Sequence, residues 1–323
     1  MKILIFSICF LITSLIAIEI ALRLLFGFGD PPLYVADDTI GYLLAPNQRV
    51  RRFGNRIVIN QYSMRSDQVQ TSRPVEKLRV FVIGDSIING NWWTDQTATL
   101  SALLQQQLIH KQQQPIEVLN ASANSWGPRN ELAYLKKFGT FESQIVLLVI
   151  NTDDLFGTQP TSLQVGKDRS YPDKKPALAT LEILNRFRQQ APIPGLKEIQ
   201  NEKGDRIGKN LSAIQEIKDL VAAHSGQLLL AMTPLKREVL DTPRDYEIVA
   251  RQRVDQFVKK QQIPYLDFLA TFQTHVSSET LYRDHIHLSP TGNSLVSQAL
   301  NTLILENLPQ SLEKAASATT PEQ

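Results

Sequence analysis

The chain has almost no cysteine and almost no net charge, and each shortage excludes a class of protein. Its 323 residues include one cysteine, Cys9, which lies in an apolar N-terminal segment. A single cysteine allows neither a disulfide within the chain nor a cysteine-based zinc or iron–sulfur site. The 34 Lys and Arg residues are scattered and nearly balance the 32 Asp and Glu residues. Because nucleic-acid binding needs clustered basic residues, we expect no nucleic-acid partner.

A third absence concerns the N-terminal segment, which is not followed by a signal-peptide cleavage pattern. The run from Ile3 to about Leu25 is almost wholly apolar. At about 1.5 Å per residue, a helix of this length crosses a hydrocarbon core of about 30 Å. No small-x-small pattern follows, so we predict an uncleaved single-pass anchor with membrane lipid as its partner; a cleaved signal peptide is the alternative. Glu19 and Arg23 lie on one helix face, where a pair costs less than either charge alone.

The rest of the composition is that of an enzyme-sized globular domain, with 42% hydrophobic and 20% charged residues. Within it, the run from Leu78 to Ile83 is rich in β-branched and aromatic residues, which predicts a buried parallel strand. Gly84 then lets the chain turn sharply and lift Ser86 to the carboxyl edge of the sheet. Open α/β sheets bind their ligands at that edge.

A serine hydroxyl becomes a nucleophile when a neighbouring base removes its proton. A histidine oriented by a carboxylate is the usual base near neutral pH. The segment Asp284-His285-Ile286-His287, about two hundred residues after Ser86, supplies both groups. We predict that His287 is the base and that Asp284 orients it. His285 and His287 are spaced for a metal, but with Asp284 they make no convincing zinc site, and we expect no metal and no cofactor.

These motifs resemble the SGNH, or GDSL-type, esterase and acyltransferase family, in its membrane-anchored branch, over roughly residues 78 to 305. The matching positions are Gly84, Asp85, Ser86 and Gly90 in the opening motif, Asn120 and Gly127 in the second block, and Asp284, His287, Leu288, Ser289 and Gly292 in the last block. The resemblance implies an α/β three-layer sandwich with a mostly parallel, flavodoxin-like five-stranded sheet. It also implies a catalytic triad of Ser86, His287 and Asp284.

The third block departs from the family pattern. Where the family usually has Gly-x-Asn-Asp, this chain has Asn151-Thr152-Asp153-Asp154. Asp153 stands where an amide donor to the oxyanion is expected, and an ionised carboxylate only accepts hydrogen bonds. Losing one such donor costs about 100- to 1,000-fold in rate. Asn151 projects to the same face of an extended segment and is one substitute; a protonated Asp153 is another. By resemblance, the Ser86 and Gly127 N–H groups supply the other oxyanion donors.

The motifs predict hydrolysis or transfer of a small, acetyl-like ester group, with a carbohydrate or envelope substrate as the expected partner. The alternative is a catalytically inactive, anchored protein that binds carbohydrate or assists assembly. The Lys and Arg distribution gives only a slight bias toward a cytoplasmic N-terminus. The resemblance implies that the catalytic domain lies outside the cytoplasm.

The predicted organisation has four parts: a transmembrane anchor over 1–28, a membrane-proximal arm over 29–75, the catalytic domain over 76–308 and a disordered tail over 309–323. Within the catalytic domain, residues 155–207 form an insertion that is either a lid above the sheet edge or a surface excursion. Trp92 and Trp93 are either a stacking platform for a sugar or packing residues. Arg65 either approaches an anionic substrate group or forms a salt bridge.

Overall fold

A computed structural model describes residues 1–112 and 115–308. It begins with helix α1 (Lys2–Ala21), which continues without a break into a π-helical turn, Leu22–Phe26. Together they form one helix that is long and apolar enough to cross a membrane. No residue of α1 is buried against the rest of the described chain. The apolar helix predicted from the sequence is therefore present.

The residues after this helix form two small antiparallel hairpins. The strands are β1 (Tyr34–Asp37), β2 (Gly41–Leu44), β3 (Gln48–Arg52) and β4 (Asn55–Ile59), paired β1 with β2 and β3 with β4. Tyr42, Leu44 and Ile59 are buried in the same apolar cluster as residues of the main sheet. The predicted arm is thus packed onto the main domain and shares its core.

The main sheet has five parallel strands. They are β5 (Leu78–Gly84), β6 (Ile116–Ser122), β7 (Ile145–Asn151), β8 (Gln227–Thr233) and β9 (Tyr265–Asp267). Their order is β6-β5-β7-β8-β9, with every neighbouring pair parallel. This is the flavodoxin-like order, which confirms the predicted α/β class. All residues of β5 and β7 are buried, as their continuous apolar sequences require.

Helices cover both faces of this sheet. They are α2 (Ser86–Asn89), α3 (Leu100–Gln112), α4 (Pro128–Phe138), α5 (Ala179–Phe187), α6 (Leu196–Gln200), α7 (Arg206–Ala223), α8 (Lys236–Leu240), α9 (Asp245–Gln261), α10 (Leu269–Gln273) and α11 (Pro290–Glu306). Alternate residues of β5 enter different cores, Phe81 one and Val82 the other. The core around Phe81 includes residues of α4, α7 and α9, and the core around Val82 includes residues of α3 and α11. The result is the predicted three-layer sandwich.

Side-chain caps set where some helices begin. Helix α7 begins at Arg206 because the preceding Asp205 carboxylate accepts the Gly208 N–H at 2.9 Å. Before α3 the chain forms a 3₁₀ turn, Gln96–Ala98, and α3 then begins at Leu100 after an extended Thr99. The predicted tail, 309–323, lies outside the described residues.

The insertion between the 3₁₀ turn Asp153–Phe156 and α7 is held against the domain at several points. The ring of Tyr171 packs against the rings of Tyr34 and Tyr42, at centroid distances of 5.1 and 4.9 Å. Farther along, Arg129 of α4 pairs with Glu202 at 2.7 Å. These contacts hold both the first and the last part of the insertion, and its role as a lid stays a prediction.

Candidate active site

The turn after β5 places Ser86 at the carboxyl edge of the sheet. A side chain at Gly84 would put its Cβ 2.6 Å from the Val149 carbonyl oxygen, so the close approach of β5 to β7 at this position requires glycine. Asp85 accepts the Ile87 N–H at 2.8 Å and caps the short helix α2. Asp85 therefore orders the turn, and Ser86 becomes the first residue of that helix.

Ser86, His287 and Asp284 form one hydrogen-bonded chain. The Ser86 Oγ lies 2.9 Å from His287 Nε2, and His287 Nδ1 lies 2.8 Å from Asp284 Oδ2. The other Asp284 oxygen accepts the backbone N–H groups of Ile286 and His287, at 3.0 and 2.8 Å. The structure thus brings together three side chains, of which Ser86 and His287 are 201 positions apart.

The surroundings of Asp284 favour its ionised form. Burial alone would raise the pKa of this carboxyl, but the two backbone N–H groups and the His287 ring outweigh burial and lower the pKa. An ionised Asp284 accepts a hydrogen bond from His287 Nδ1, so the ring proton lies on Nδ1. The Nε2 lone pair then faces the Ser86 hydroxyl, which is the tautomer that a general base needs.

Asn151, one of the two predicted side-chain donors to the oxyanion, is tied to the residue beside the nucleophile. Its amide nitrogen donates to Asp85 Oδ2 at 2.9 Å, and its amide oxygen accepts the Asp153 N–H at 2.7 Å. Burial raises the pKa of Asp85 to about 6. An amide nitrogen carries two protons, so Asn151 keeps one N–H for a ligand.

Asp153 lies at the surface of the same cavity as Ser86. Partial desolvation, with the negative charges of Glu238 and Glu247, raises the pKa of Asp153. Its side chain forms no hydrogen bond within the described parts of the chain. The carboxyl is therefore free to approach a ligand, and its proton is held more firmly than in an ordinary aspartate.

Gly127, expected as a backbone donor, has its N–H already engaged by Asn130 Oδ1 at 3.1 Å. Ser125, two residues earlier, was not singled out from the sequence. It lines the active-site cavity with φ at 59°, in the left-handed region, and its hydroxyl lies 3.1 Å from the Tyr171 hydroxyl. Glycine at this position would have indicated the special backbone conformation; a serine does not.

Three buried carboxyl groups lie behind the nucleophile. Burial raises the pKa of Glu131 and Asp154 well above the ordinary range, in addition to that of Asp85. The Asp154 carboxyl accepts the Asn151 N–H at 2.8 Å. The two Glu131 oxygens have no hydrogen-bond partner among the described residues. The neutral, protonated form is therefore favoured for Glu131 and Asp154.

The cavity above Ser86 has a volume of about 700 Å³, and the insertion forms one of its walls. The wall residues include Thr158, Pro160, Gln164 and Tyr171. His287 also lines the cavity, and the Trp93 ring stands edge-on to the His287 ring at a centroid distance of 4.9 Å. The catalytic candidates thus open into a space large enough for a sugar-sized group.

Arg65 and His285 lie beside this arrangement without joining it. Arg65 is buried, and its guanidinium donates to the carbonyl oxygens of Asn89, Asn91 and Thr94. It holds the loop after α2, which supports a packing role and not contact with an anionic substrate group. The His285 side chain is exposed, with Nδ1 3.8 Å from Asp284 Oδ1.

Several solved structures are similar to the chain at low identity. LAE5, an alpha/beta hydrolase enzyme from the metagenome of Lake Arreo, Spain, is 14% identical, with 70% of this chain and 94% of that chain covered and a TM-score of 0.46. The acetyl xylan esterase AlAXEase is 14% identical, with 70% and 100% covered and a TM-score of 0.48. A catalytic mutant of Axe2, an acetylxylan esterase from Geobacillus stearothermophilus, is 14% identical, with 73% and 96% covered and a TM-score of 0.47.

No curated protein sequence matches the chain. The sequence model of the GDSL-like Lipase/Acylhydrolase family matches residues 82–295, more than half of the chain. The match begins within β5, ends within α11 and includes Ser86, Asp284 and His287. The chain therefore belongs to the GDSL-like lipase/acylhydrolase family.

Proposed function

We propose that the protein hydrolyses or transfers a small, acetyl-like ester group by nucleophilic attack of Ser86. The observation that carries this proposal is the chain from Ser86 Oγ through His287 to Asp284, with steps of 2.9 and 2.8 Å. It stands at the carboxyl edge of the sheet and opens into a cavity. Nucleophile, base and orienting carboxylate are then in the order that acyl transfer requires.

In the first half-reaction, His287 Nε2 takes the Ser86 hydroxyl proton as Oγ attacks the ester carbonyl carbon. The tetrahedral intermediate collapses, the alcohol leaves with the proton from His287, and an acyl-Ser86 ester remains. In the second half-reaction, His287 removes a proton from an acceptor hydroxyl, whose oxygen attacks the acyl carbon. The second tetrahedral intermediate collapses, the bond to Ser86 Oγ breaks, and His287 returns the proton to Oγ. Water as acceptor gives hydrolysis, and a sugar hydroxyl gives transfer.

The oxyanion donors we propose are the Ser86 N–H and the remaining Asn151 N–H. Asn151 is held by its bond to Asp85, which itself lies 3.3 Å from the Ser86 hydroxyl. Asp153 opposes the developing negative charge when it is ionised and donates a hydrogen bond when it is protonated. The Gly127 N–H donates to the oxyanion when its hydrogen bond to Asn130 Oδ1 is broken.

We further propose a carbohydrate or envelope ester as substrate, with the catalytic domain outside the cytoplasm. Amides and hydroxyls of Asn91, Asn124, Gln164 and Ser170 line the cavity and suit a substrate rich in hydroxyl groups. The Trp93 ring packs against the His287 ring, and the Trp92 ring packs against Trp93. Membrane sidedness is checked by adding protease to right-side-out vesicles: cleavage of the domain without detergent supports the proposal, and protection contradicts it.

The test of the reaction is acetate release from a chromogenic acetyl ester by the full chain in detergent. Ser86→Ala and His287→Ala should abolish release while the protein stays folded by circular dichroism. Ser143→Ala, a buried hydroxyl that precedes β7 at the amino edge of the sheet, is the matched control and should retain activity.

The same preparation is treated with a fluorophosphonate probe. Labelling at Ser86 that disappears in Ser86→Ala supports a competent nucleophile, even where the chromogenic ester is a poor substrate. No labelling and no acetate release would favour the alternative, an inactive protein that binds carbohydrate or assists assembly. Asp153 in the oxyanion region is the observation in favour of that alternative.

A further inference from the structure

The last turns of the N-terminal helix are bonded to α5. The Glu19 carboxylate accepts the N–H groups of Ala179 and Thr180, at 2.7 and 3.0 Å, and so caps the first turn of α5. Arg23 completes the contact, with Nε 2.8 Å from Glu19 and Nη2 3.0 Å from the Ala177 carbonyl oxygen. The two charges inside the apolar segment therefore have a specific use: they join the helix to the insertion.

These bonds define the level at which the apolar helix can leave a bilayer. The residues from Ile3 to Ile18 carry no charge, and at about 1.5 Å per residue they span about 24 Å. A hydrocarbon core is about 30 Å thick, and a hydrophobic stretch a few Å shorter is accommodated by local thinning of the bilayer, so a membrane-crossing α1 reaches the headgroup region near Glu19. Ionised side chains are costly in hydrocarbon, and so are peptide N–H and C=O groups without hydrogen-bond partners. The contact with α5 therefore lies at the headgroup region.

Helix α5 exposes an apolar face at the same level. Leu181, Leu184 and Phe187 repeat every three residues and are 40%, 56% and 84% exposed. The opposite face is turned to the protein: Ala179 is buried, and Glu182 pairs with Arg52 at 2.6 Å. A helix with one face bound to protein and large apolar side chains on the other has the form of an interfacial helix.

Basic side chains border α5 and line a second cavity of about 1,150 Å³. Seven Lys and Arg residues and three Asp and Glu residues line this cavity. Lys167, Lys174 and Arg188 form no ion pair within residues 1–112 and 115–308. An excess of unpaired positive charge beside an exposed apolar face is complementary to an anionic lipid surface.

The second cavity adjoins the active-site cavity, and both are lined by Asn91, Asn124 and Ser170. A series of aromatic rings runs the same way, from the end of the N-terminal helix to the catalytic histidine. Successive rings, with centroid distances of 5.7, 4.9, 5.3 and 4.9 Å, belong to Phe26, Phe53, Trp92, Trp93 and His287. The second cavity, which Leu181 of α5 lines, thus leads to the cavity that contains Ser86 and His287.

We propose that α5 lies on the surface of the bilayer that α1 crosses, with Leu181, Leu184 and Phe187 among the acyl chains. The basic rim of the second cavity then faces anionic phospholipid headgroups. The occupant of the exposed face is the lipid surface, because α5 is bonded to the apolar helix at headgroup level and is bordered by positive charge. This docking needs no chemistry at Ser86.

Depth-dependent fluorescence quenching tests the docking. The full chain in a Cys9→Ser background, with Leu184→Cys carrying an environment-sensitive probe, is placed in nanodiscs of phosphatidylcholine and phosphatidylserine. Lipids with a quencher near the headgroup should quench this probe strongly. The matched control is Val75→Cys, which is 88% exposed and precedes β5 at the opposite edge of the sheet; it should not be quenched.

Equal quenching at the two positions would overturn the proposal. Energy transfer between labelled copies at position 184, without lipid quenching, would also overturn it and would assign the face to a second copy of the chain. Ser86→Ala should leave the quenching unchanged. Quenching that persists in a protein without esterase activity or probe labelling would therefore separate failure of the proposed reaction from failure of the docking.

The basic rim is tested by charge. Lys174→Gln with Arg188→Gln should reduce quenching at position 184 in nanodiscs that contain phosphatidylserine. In nanodiscs of phosphatidylcholine alone the same pair of substitutions should change little. Lys260→Gln, an exposed position in α9, is the control and should behave as the parent. A loss that does not depend on lipid charge would contradict the headgroup role.

Discussion

The turns after β5 and β7 lie side by side at the same edge of the sheet, but their polar side chains are arranged differently. After β5, the polar residues form an ordered relay: Asp85 caps α2 and Ser86 meets His287. After β7, Asn151 is turned toward Asp85, and Asp153 places a carboxyl at the cavity surface. The side of Ser86 therefore has a complete hydrogen-bonded chain, while the side of Asp153, where we propose that the oxyanion forms, has an acceptor where a donor is useful. The pH dependence of the rate should therefore reflect how Asp153 is protonated.

The largest effect is expected from breaking the relay on the nucleophile side. Asp284→Asn should lower kcat for the chromogenic ester by about 10,000-fold, because an amide no longer selects the proton-bearing Nδ1 of His287. Asp241→Asn, at an exposed position after α8, is the charge-matched control and should leave kcat near that of the parent. Near-normal kcat in Asp284→Asn would show that another carboxylate, with Asp85 the nearest candidate, orients the histidine.

The next effect concerns the proposed donor on the oxyanion side. Asn151→Ala should lower kcat by about 100- to 1,000-fold with little change in KM, since the donor acts mainly on the transition state. The measurement is steady-state kinetics on the folded variant, with unfolding free energy determined in parallel. A rise in KM at unchanged kcat would instead assign Asn151 to substrate binding.

Asp153→Asn sharpens the comparison by giving the second turn an amide. We expect kcat to rise by about 10-fold, a fraction of the effect of one full oxyanion donor. The gain should grow as pH increases, because the parent carboxyl, whose pKa is raised, is increasingly ionised at higher pH. Asp168→Asn, outside the active-site cavity, is the control. A loss of activity at every pH would show that protonated Asp153 already serves as a donor.

The smallest effect concerns Glu131, one of the three buried carboxyl groups behind Ser86. Above about pH 4.3 an unfolded chain releases the Glu131 proton, whereas the folded chain keeps it because burial raises the pKa of this carboxyl. Stability is then lost as pH rises, by up to about 1.4 kcal/mol per pH unit. Glu131→Gln should remove the part of this slope due to Glu131 in urea unfolding and leave the parts due to Asp85 and Asp154, while exposed Glu306→Gln should retain the whole slope. An unchanged slope in Glu131→Gln would mean that Glu131 ionises normally.

Local sequence indicated the buried strand before Ser86 and the candidate triad. The continuous apolar run from Leu78 to Ile83 predicted β5, because a strand buried on both faces must be continuously apolar. Ser86, Asp284 and His287 could be named from short motifs, since the turn and the spacing that present them are local. The departure at Asp153 was visible for the same reason.

Tertiary structure decided the features whose partners are distant in sequence. The capping of α5 by Glu19 joins residues 160 positions apart, and the bond from Asn151 to Asp85 joins residues 66 positions apart. The left-handed backbone of Ser125 and the burial of the arm's hairpins in the main core likewise had no local signal. Periodicity and motifs reflect the local backbone conformation of a segment and which of its faces are buried. Which distant group satisfies a buried carboxylate or an amide depends on the packing of the whole chain.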